Sequence, residues 1–569
     1  MSAGLYRHAA QGVLAAVVTM CIAAPTLAQT APPIDSGAVL RELEKPRIDQ
    51  PPRPAPAIPP APAETEAAPG VRVTVREFAV SGATLLSKDA IDAALAPFIG
   101  QPLDLAGLRR AADAVSEAYR RAGRLARVTV PPQNIEDGRV RLDVTEAAFG
   151  QLTIDNASRL NAPLAERMLL VRQAAGAPLD ARALESAMLV INDLPGVAAK
   201  ALLSAGAAHG QTDVGLQLRD TGRVSLLATI DNHGSRYTGQ ARIGLQAALN
   251  EPLGLGDQMS AQLLHSDGLD YLRAGYSLAA GALGTRVALH ASGLRYRLSG
   301  GTVDALDARG RAIGWGLGLT HPLLRGARAN WRATVAFDQR QLVDEVLQVE
   351  TANKRIDALT IGLNGDHIDD LGAGGLTWGG ALLTLGRLDL GGNAAALAAD
   401  RLSARTQGSY AKLNAFVARQ QRVAPRVTVK GVLSGQIGSK NLDSSETFSL
   451  GGPSGLRAFA GGEARADQGW MLNLDARYAF APQWSAGLLV DAGGVCVHRD
   501  PWSGAGASHG NCYALKDYGA SLQWDAGRFS LRASVARQWG GNAGVNALGQ
   551  DVEGRTRRYR AWAQLTAAF

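Results

Sequence analysis

From residue 222 to the last residue, 569, the sequence loses any helical period and alternates apolar with polar side chains. Ala241, Ile243, Leu245 and Ala247 interleave with Arg242, Gly244, Gln246 and Ala248. Leu472, Leu474, Ala476 and Tyr478 interleave with Asn473, Asp475 and Arg477. Phe529, Leu531, Ala533 and Val535 do the same with Ser530, Arg532 and Ser534. A period of two places successive side chains on opposite faces of a strand, so this half of the chain is strand upon strand. Two architectures accept the pattern. A soluble sandwich turns the apolar face inward, whereas a membrane barrel turns it to lipid and lines a wet lumen with the polar face. Alternation alone leaves both open.

The two ends of the chain favour the membrane. Arg7 and His8 precede an apolar run from Val13 to Ala24, and Thr26-Leu27-Ala28 follows it. This is the pattern of a secretory signal peptide cleaved after Ala28. Cys21 lies inside the run, but Ile22 follows it where a lipoprotein signal needs a small residue. The run is shorter than the ~20 residues that span a bilayer as a helix, and no later stretch approaches that length. A barrel crosses with strands of only ~10 alternating residues, so a mean hydropathy of -0.03 and 66 glycines fit it well. In the final segment Tyr559, Ala561, Ala563, Leu565, Ala567 and Phe569 form one face, against Arg558, Arg560, Trp562, Gln564 and Thr566. A Phe closing such a strand resembles the recognition signal of bacterial outer-membrane barrels. At ~20 residues per strand and connection, the segment gives roughly 16 strands, wide enough for an aqueous channel.

The front of the chain has a different texture. Ser36 to Lys45 reads as a short amphipathic helix with Ser36 as N-cap, Val39, Leu40 and Leu43 as its apolar cluster, and Pro46 as its stop. A proline-rich run follows, with Pro51-Pro52-Arg53-Pro54 and Pro59-Pro60 at its centre, which favours a semi-rigid polyproline II spacer. Residues 71–220 hold two small mixed units. In the first, Val71, Val73 and Val75 mark a half-buried strand and Ser87–Leu95 a helix. Leu103, Leu108, Ala111, Ala112, Val115 and Tyr119 mark a second helix ended by Gly123. Leu125–Val130 and Arg139–Thr145 are strands joined by a turn at Asp137-Gly138. The resulting order, β-α-α-β-β, repeats over 151–220, with Leu152–Ile154, Ala162–Val171, Asp180–Leu194, Ala198–Ser204 and Asp213–Arg219.

This organisation resembles the two-partner secretion transporters (TpsB, type Vb) of the barrel-assembly superfamily, of the haemolysin/adhesin-activator kind. Tyr119, Gly123, the run Arg127 to Gln133, Asp137-Gly138 and Val144-Thr145-Glu146 are similar to that family's first POTRA pattern. Asp231-Asn232-His233-Gly234-Ser235-Arg236-Tyr237-Thr238-Gly239 resembles its first-strand signature. Gly451-Gly452-Pro453-Ser454-Gly455-Leu456-Arg457-Ala458-Phe459 resembles the tip of its long sixth loop, which folds back into the lumen. Leu488 to Gly493 resembles the strand motif that opposes it, and the likeness implies that Arg457 pairs with Asp491 inside the barrel. Ala458 stands where the family has glycine, which puts any positive φ there in question. The fold so implied is a mainly β chain: a ~16-stranded antiparallel transmembrane barrel behind two periplasmic POTRA domains. The expected division is signal peptide 1–28, leader with plug helix 29–46, linker 47–70, POTRA units 71–148 and 149–220, and barrel 221–569.

Function follows as expectation. Gly506-Ala507-Ser508-His509-Gly510 matches G-x-S-x-G, but it sits between Cys496 and Cys512 with no flanking strand and helix, so no catalytic residue is assigned. Those two cysteines, alone in the mature chain, read as one disulfide pinning a loop rather than as a zinc site with His498 and His509. No P-loop or dinucleotide fingerprint is present, and neither cofactor nor metal is expected. A net charge of +7, dispersed along the chain, does not indicate nucleic acid. The resemblance implies an outer-membrane pore that takes an unfolded TpsA-like exoprotein from the periplasm and passes it to the surface without ATP. Its POTRA strand edges (Leu125, Val128, Val130, Arg139 and Arg141) would receive the exoprotein by strand addition. Outer-membrane lipid and the barrel-assembly machinery are the other partners implied. An assembly insertase of the same superfamily is the alternative; it usually carries more POTRA domains and no plug.

Overall fold

The computed structural model describes residues 34–45, 48, 72–503, 505 and 510–569. The expected signal peptide, almost all of the proline-rich linker and the Gly506 to His509 run lie outside the described residues. Among the described residues no helix is long and apolar enough to cross a membrane.

Sixteen antiparallel strands, from Val224–Asp231 to Tyr559–Ala568, close on themselves. Closure is made by the first and last strands, with Asp231 opposite Gln564 and Leu227 opposite Ala568. Phe569 extends this seam: its amide donates to the Leu226 carbonyl at 2.8 Å, and its carbonyl accepts from the Leu226 amide at 3.0 Å. A closed sheet has no free edge, and its apolar face points outward. Along Arg309–Arg325 the side chains of Ile313, Trp315, Leu317 and Leu319 are exposed, while Ala312, Gly314 and Gly316 on the alternate positions are buried. Asn473, Asp475 and Asp491, on the opposite parity of their strands, are buried inside. This inverted pattern excludes the sandwich and is that of a membrane barrel.

Each small unit is a three-stranded sheet covered by two helices. In the first, Arg139–Glu146 lies in the middle, parallel to Glu77–Ser81 and antiparallel to Ala126–Thr129. The helix Leu105–Arg121 is capped by Asp104, whose carboxylate accepts from the Gly107 amide at 2.8 Å. It buries Leu108, Ala111, Ala112, Val115 and Tyr119. Most of this stripe packs on Val128, Leu142 and Val144 of the sheet. The strand expected at Val71 to Val75 is displaced. Val73–Thr74 pairs only with Pro102–Leu103, and the chain enters the main sheet at Glu77–Ser81. Val75 turns fully inward instead, its amide donating to the Gln101 carbonyl. The second unit repeats the order, with Gln211–Asp220 between Ala148–Ala157 and Val197–Ala205.

The two units are bonded to each other, and the second is bonded to the barrel. The Gly123 carbonyl accepts from the Ala181 amide at 2.9 Å, joining the end of one unit's helix to the start of the next unit's. Arg325 on a barrel strand holds both carboxylate oxygens of Asp193 at 2.8 Å. Arg172 donates to the carbonyls of Ala282 and Leu283 in the turn before the fifth strand.

Candidate functional site: the plugged lumen

Between the eleventh strand, Val427–Gly438, and the twelfth, Gln468–Ala481, the connection turns back into the barrel. Its apolar side chains explain why. Leu450, Leu456, Ala458 and Phe459 are buried with Met471, Leu489, Val495, Leu515 and Ala536 of the wall, a patch of lumen that the apolar tip keeps from water. The tip is tightly folded. A Cβ on Gly451 would lie 2.0 Å from the Ala460 carbonyl, and one on Gly455 2.0 Å from that of Leu450, so only glycine permits this approach. Gly452 has φ of 120° and its amide donates to the Phe459 carbonyl at 3.3 Å. Ala458 is not among the residues with positive φ, so its methyl group replaces a glycine without backbone strain.

Arg457 lies at the centre of the tip. Its Nε and Nη2 donate to the two oxygens of Asp491 at 2.8 and 2.7 Å, and its Nη1 donates to Asp475 at 2.7 Å. Asn473 donates to both the Gly455 carbonyl and Asp491. On the fourteenth strand, Cys512–Ala526, Asp517 accepts from the Ala458 amide at 3.0 Å. Trp562 on the last strand donates to the Arg457 carbonyl at 2.8 Å. Five wall side chains on four strands therefore hold one turn of chain. Lys430 of the eleventh strand stands 3.8 Å from Asp475, so the two carboxylates that hold the guanidinium face two cations in a partly desolvated setting. Sequence reasoning named Arg457 and Asp491 but missed Asp475, Asp517 and Trp562. Their signal was present: each is a polar or hydrogen-bonding side chain at a lumen-facing position of an alternating strand.

The helix Ser36–Leu43 also lies in the lumen. Its N-cap is Asp35 rather than the expected Ser36; the carboxylate accepts from the Ala38 amide at 2.8 Å, while the Ser36 amide donates to Asp344 on the wall. Lys354 of the eighth strand reaches both Asp35 and Asp443 of the loop at 2.9 Å. Further along, Ser444 donates to Asp35, Arg41 donates to the Thr447 carbonyl, and Lys45 to that of Ser449. On the other side Glu44 accepts from Tyr271, Arg273 and Ser292 of the wall. Leu40 is buried with Leu269, Tyr271 and Leu294 of the wall, but most of the contacts that hold the helix in the channel beside the loop are polar ones that water can replace. A polar cavity of about 450 Å³ remains below the loop tip, lined by Glu42, Pro453, Arg457, Arg477, Arg532 and Trp562 among others.

Cys496 and Cys512 sit opposite each other on neighbouring strands and are bonded. Among the described residues no group of three or more His, Cys, Asp or Glu is placed to hold a metal ion.

The POTRA residues need a correction. Ala126–Thr129, containing Val128, is an edge strand, with Leu125 and Val130 flanking it. Arg139 and Arg141 are not on an edge: they belong to the central strand, paired to Glu77 and Ala79 on one side. On the other side the Gln133 side chain closes the ladder, accepting from the Arg141 amide at 2.7 Å and donating to its carbonyl at 2.9 Å. The backbone of Arg141 therefore has nothing left to offer an added strand. The motif residues Tyr119 and Glu146 meet at 2.8 Å, and Glu146 also accepts from the amides of Thr84 and Leu85.

The family profile described as haemolysin secretion/activation protein ShlB/FhaC/HecB matches residues 210–511. The chain belongs to that family. A second profile, the ShlB-type POTRA domain, matches residues 73–147. Members are outer-membrane transporters of the TpsB type, with POTRA domains in the periplasm and a barrel in the membrane. The heme/hemopexin transporter protein HuxB of Haemophilus influenzae is 29% identical over 450 residues, covering 77% of this chain and 79% of its own. The outer membrane transporter CdiB of Escherichia coli is 27% identical over 446 residues, covering 73% and 72%. The solved structure of E. coli CdiB superposes with a TM-score of 0.65 at 22% identity, covering 91% of this chain and 94% of that one. A BamA barrel from Haemophilus ducreyi lacking POTRA domains 1–3 shares the fold, with a TM-score of 0.53 at 13% identity and coverage of 88% and 100%. In this ShlB/FhaC/HecB-type chain the end of the barrel away from the POTRA units faces the cell exterior.

Proposed function

We propose that this transporter receives an exoprotein as an unfolded chain on its POTRA units and passes it through the barrel to the surface without ATP. The observation that carries this reading is a channel-sized barrel filled by a loop anchored to the wall at its apolar tip and Arg457 and by a helix held largely by exchangeable polar contacts. A diffusion pore has no use for such a plug, and an insertase would leave it unexplained. Translocation is driven by folding of the exoprotein outside. Ala126–Thr129 offers the incoming chain a free ladder of backbone groups, with Leu125 and Val130 beside it. Outer-membrane lipid surrounds the exposed apolar band, and the barrel-assembly machinery inserts the chain by way of the strand that ends on Phe569.

A proline scan of Ala126–Thr129 tests the docking step. In an edge strand alternate amides point outward, so proline at every second position leaves the POTRA fold intact and removes a donor from the free edge. Those variants are expected to lose copurification with the exoprotein and its secretion, while Arg141→Ala, on the central strand, keeps both. Secretion unaffected by all four prolines would contradict docking at this edge.

A further inference from the structure

On the outside of the barrel, strands fourteen to sixteen carry a basic and aromatic patch at the cell-exterior end. Arg537, near the end of Phe529–Gln538, stands between Tyr518 and Tyr559 of the two neighbouring strands. Tyr518 and Tyr559 are 45% and 59% exposed, and Trp539 beside them is 62% exposed. Trp539 meets Tyr518 edge-on at 6.4 Å. Lys516, two residues before Tyr518, and Arg557, two residues before Tyr559, are exposed as well. Among the described residues, none of Lys516, Arg537 and Arg557 has an ion pair or side-chain hydrogen bond. No outward position on these three strands bears a carboxylate.

The height of the patch is set by its neighbours. Towards the periplasm, Val535 and Leu522 are exposed members of the apolar band. Exposed tyrosine and tryptophan at the edge of such a band mark the headgroup level. Three unpaired cations at that level, with hydrogen-bonding rings between them, are complementary to phosphate, which arginine binds through paired donors. We propose that Lys516, Arg537 and Arg557 form a binding site for the phosphates of a phosphorylated glycolipid in the outer leaflet, beside the seam of the barrel.

The test uses the full chain in nanodiscs, with diphosphoryl lipid A as probe and native mass spectrometry as readout. Each cation beside an anionic headgroup contributes roughly fivefold, so Arg537→Gln alone is expected to weaken binding about fivefold and the triple variant K516Q/R537Q/R557Q about a hundredfold. Arg426→Gln, in a periplasmic turn, should leave binding unchanged. Heat-modifiable mobility verifies that each barrel is folded, and the single variant decides if the triple one fails to fold. Retention of diphosphoryl lipid A at the parent level by the folded variants would overturn the site. Equal binding of phosphatidylglycerol at matched charge would overturn its assignment to a glycolipid.

Discussion

Asp491 accepts three hydrogen bonds from Arg457, two from the guanidinium and a third from its own main-chain amide at 3.2 Å. The aspartate thus fixes the backbone of the loop tip as well as its charge. Removing one partner leaves the other buried in an unbalanced lumen, which costs about 3–5 kcal/mol. Arg457→Ala is expected to release the loop from the wall while the sixteen strands remain closed. Limited proteolysis of the loop in the folded barrel checks this, and secretion should fall at least tenfold. Arg457→Lys should fail nearly as fully, because an ammonium cannot match the bidentate contact to Asp491 while also reaching Asp475.

Lys354 is shared between the plug helix, through Asp35, and the loop, through Asp443. Lys354→Gln removes the common cation and leaves two carboxylates beside each other. The open fraction in planar bilayers is expected to rise several-fold. Asp35→Ala should act in the same direction, since it also removes a helix cap worth about 1 kcal/mol. Unchanged conductance in both would mean that these bonds do not hold the plug.

In the first POTRA unit, burial pushes the Glu146 carboxyl up, but hydrogen bonds from Thr84, Leu85 and Tyr119 outweigh it and hold the group below its usual 4.5. Its folded value is lower than its unfolded one. The stabilisation is therefore complete above pH 4.5 and is lost as pH falls through the folded value. Hydrogen exchange of this unit in the full chain should show protection that drops below pH 4.5 in the parent, and a flatter profile in Glu146→Gln.

Much of this was legible in the sequence, for reasons that differ by element. The barrel announces itself because a period of two is a direct record of which face each side chain takes, and the helices because Leu108, Ala111, Ala112, Val115 and Tyr119 fall on one stripe. Strand order is another matter. Arg139 and Arg141 alternate like an edge strand, and only the parallel pairing with Glu77–Ser81 and the Gln133 side chain make theirs a central one. The helix start was misplaced by one residue because Asp35 and Ser36 are both good caps, and the choice fell to tertiary contacts with Lys354 and Asp344. For Asp475 and Asp517 the alternation shows the lumen face but not the partner, because the groups they hold come from a loop that folding alone brings to them.

A chain can cross this barrel only if the helix that fills the lumen leaves it, and that central claim of the proposed function is tested by tying the helix to the anchored loop. A Cβ on Gly37 would lie 2.9 Å from the Ser445 Cβ, and a disulfide needs about 3.8 Å, so a small shift lets Gly37→Cys and Ser445→Cys join. Secretion of the exoprotein is measured in cells carrying this pair, with and without reductant. The expected result is secretion blocked when the pair is oxidised and restored on reduction, with either single cysteine fully active. Undiminished secretion through the oxidised, cross-linked barrel would contradict the account.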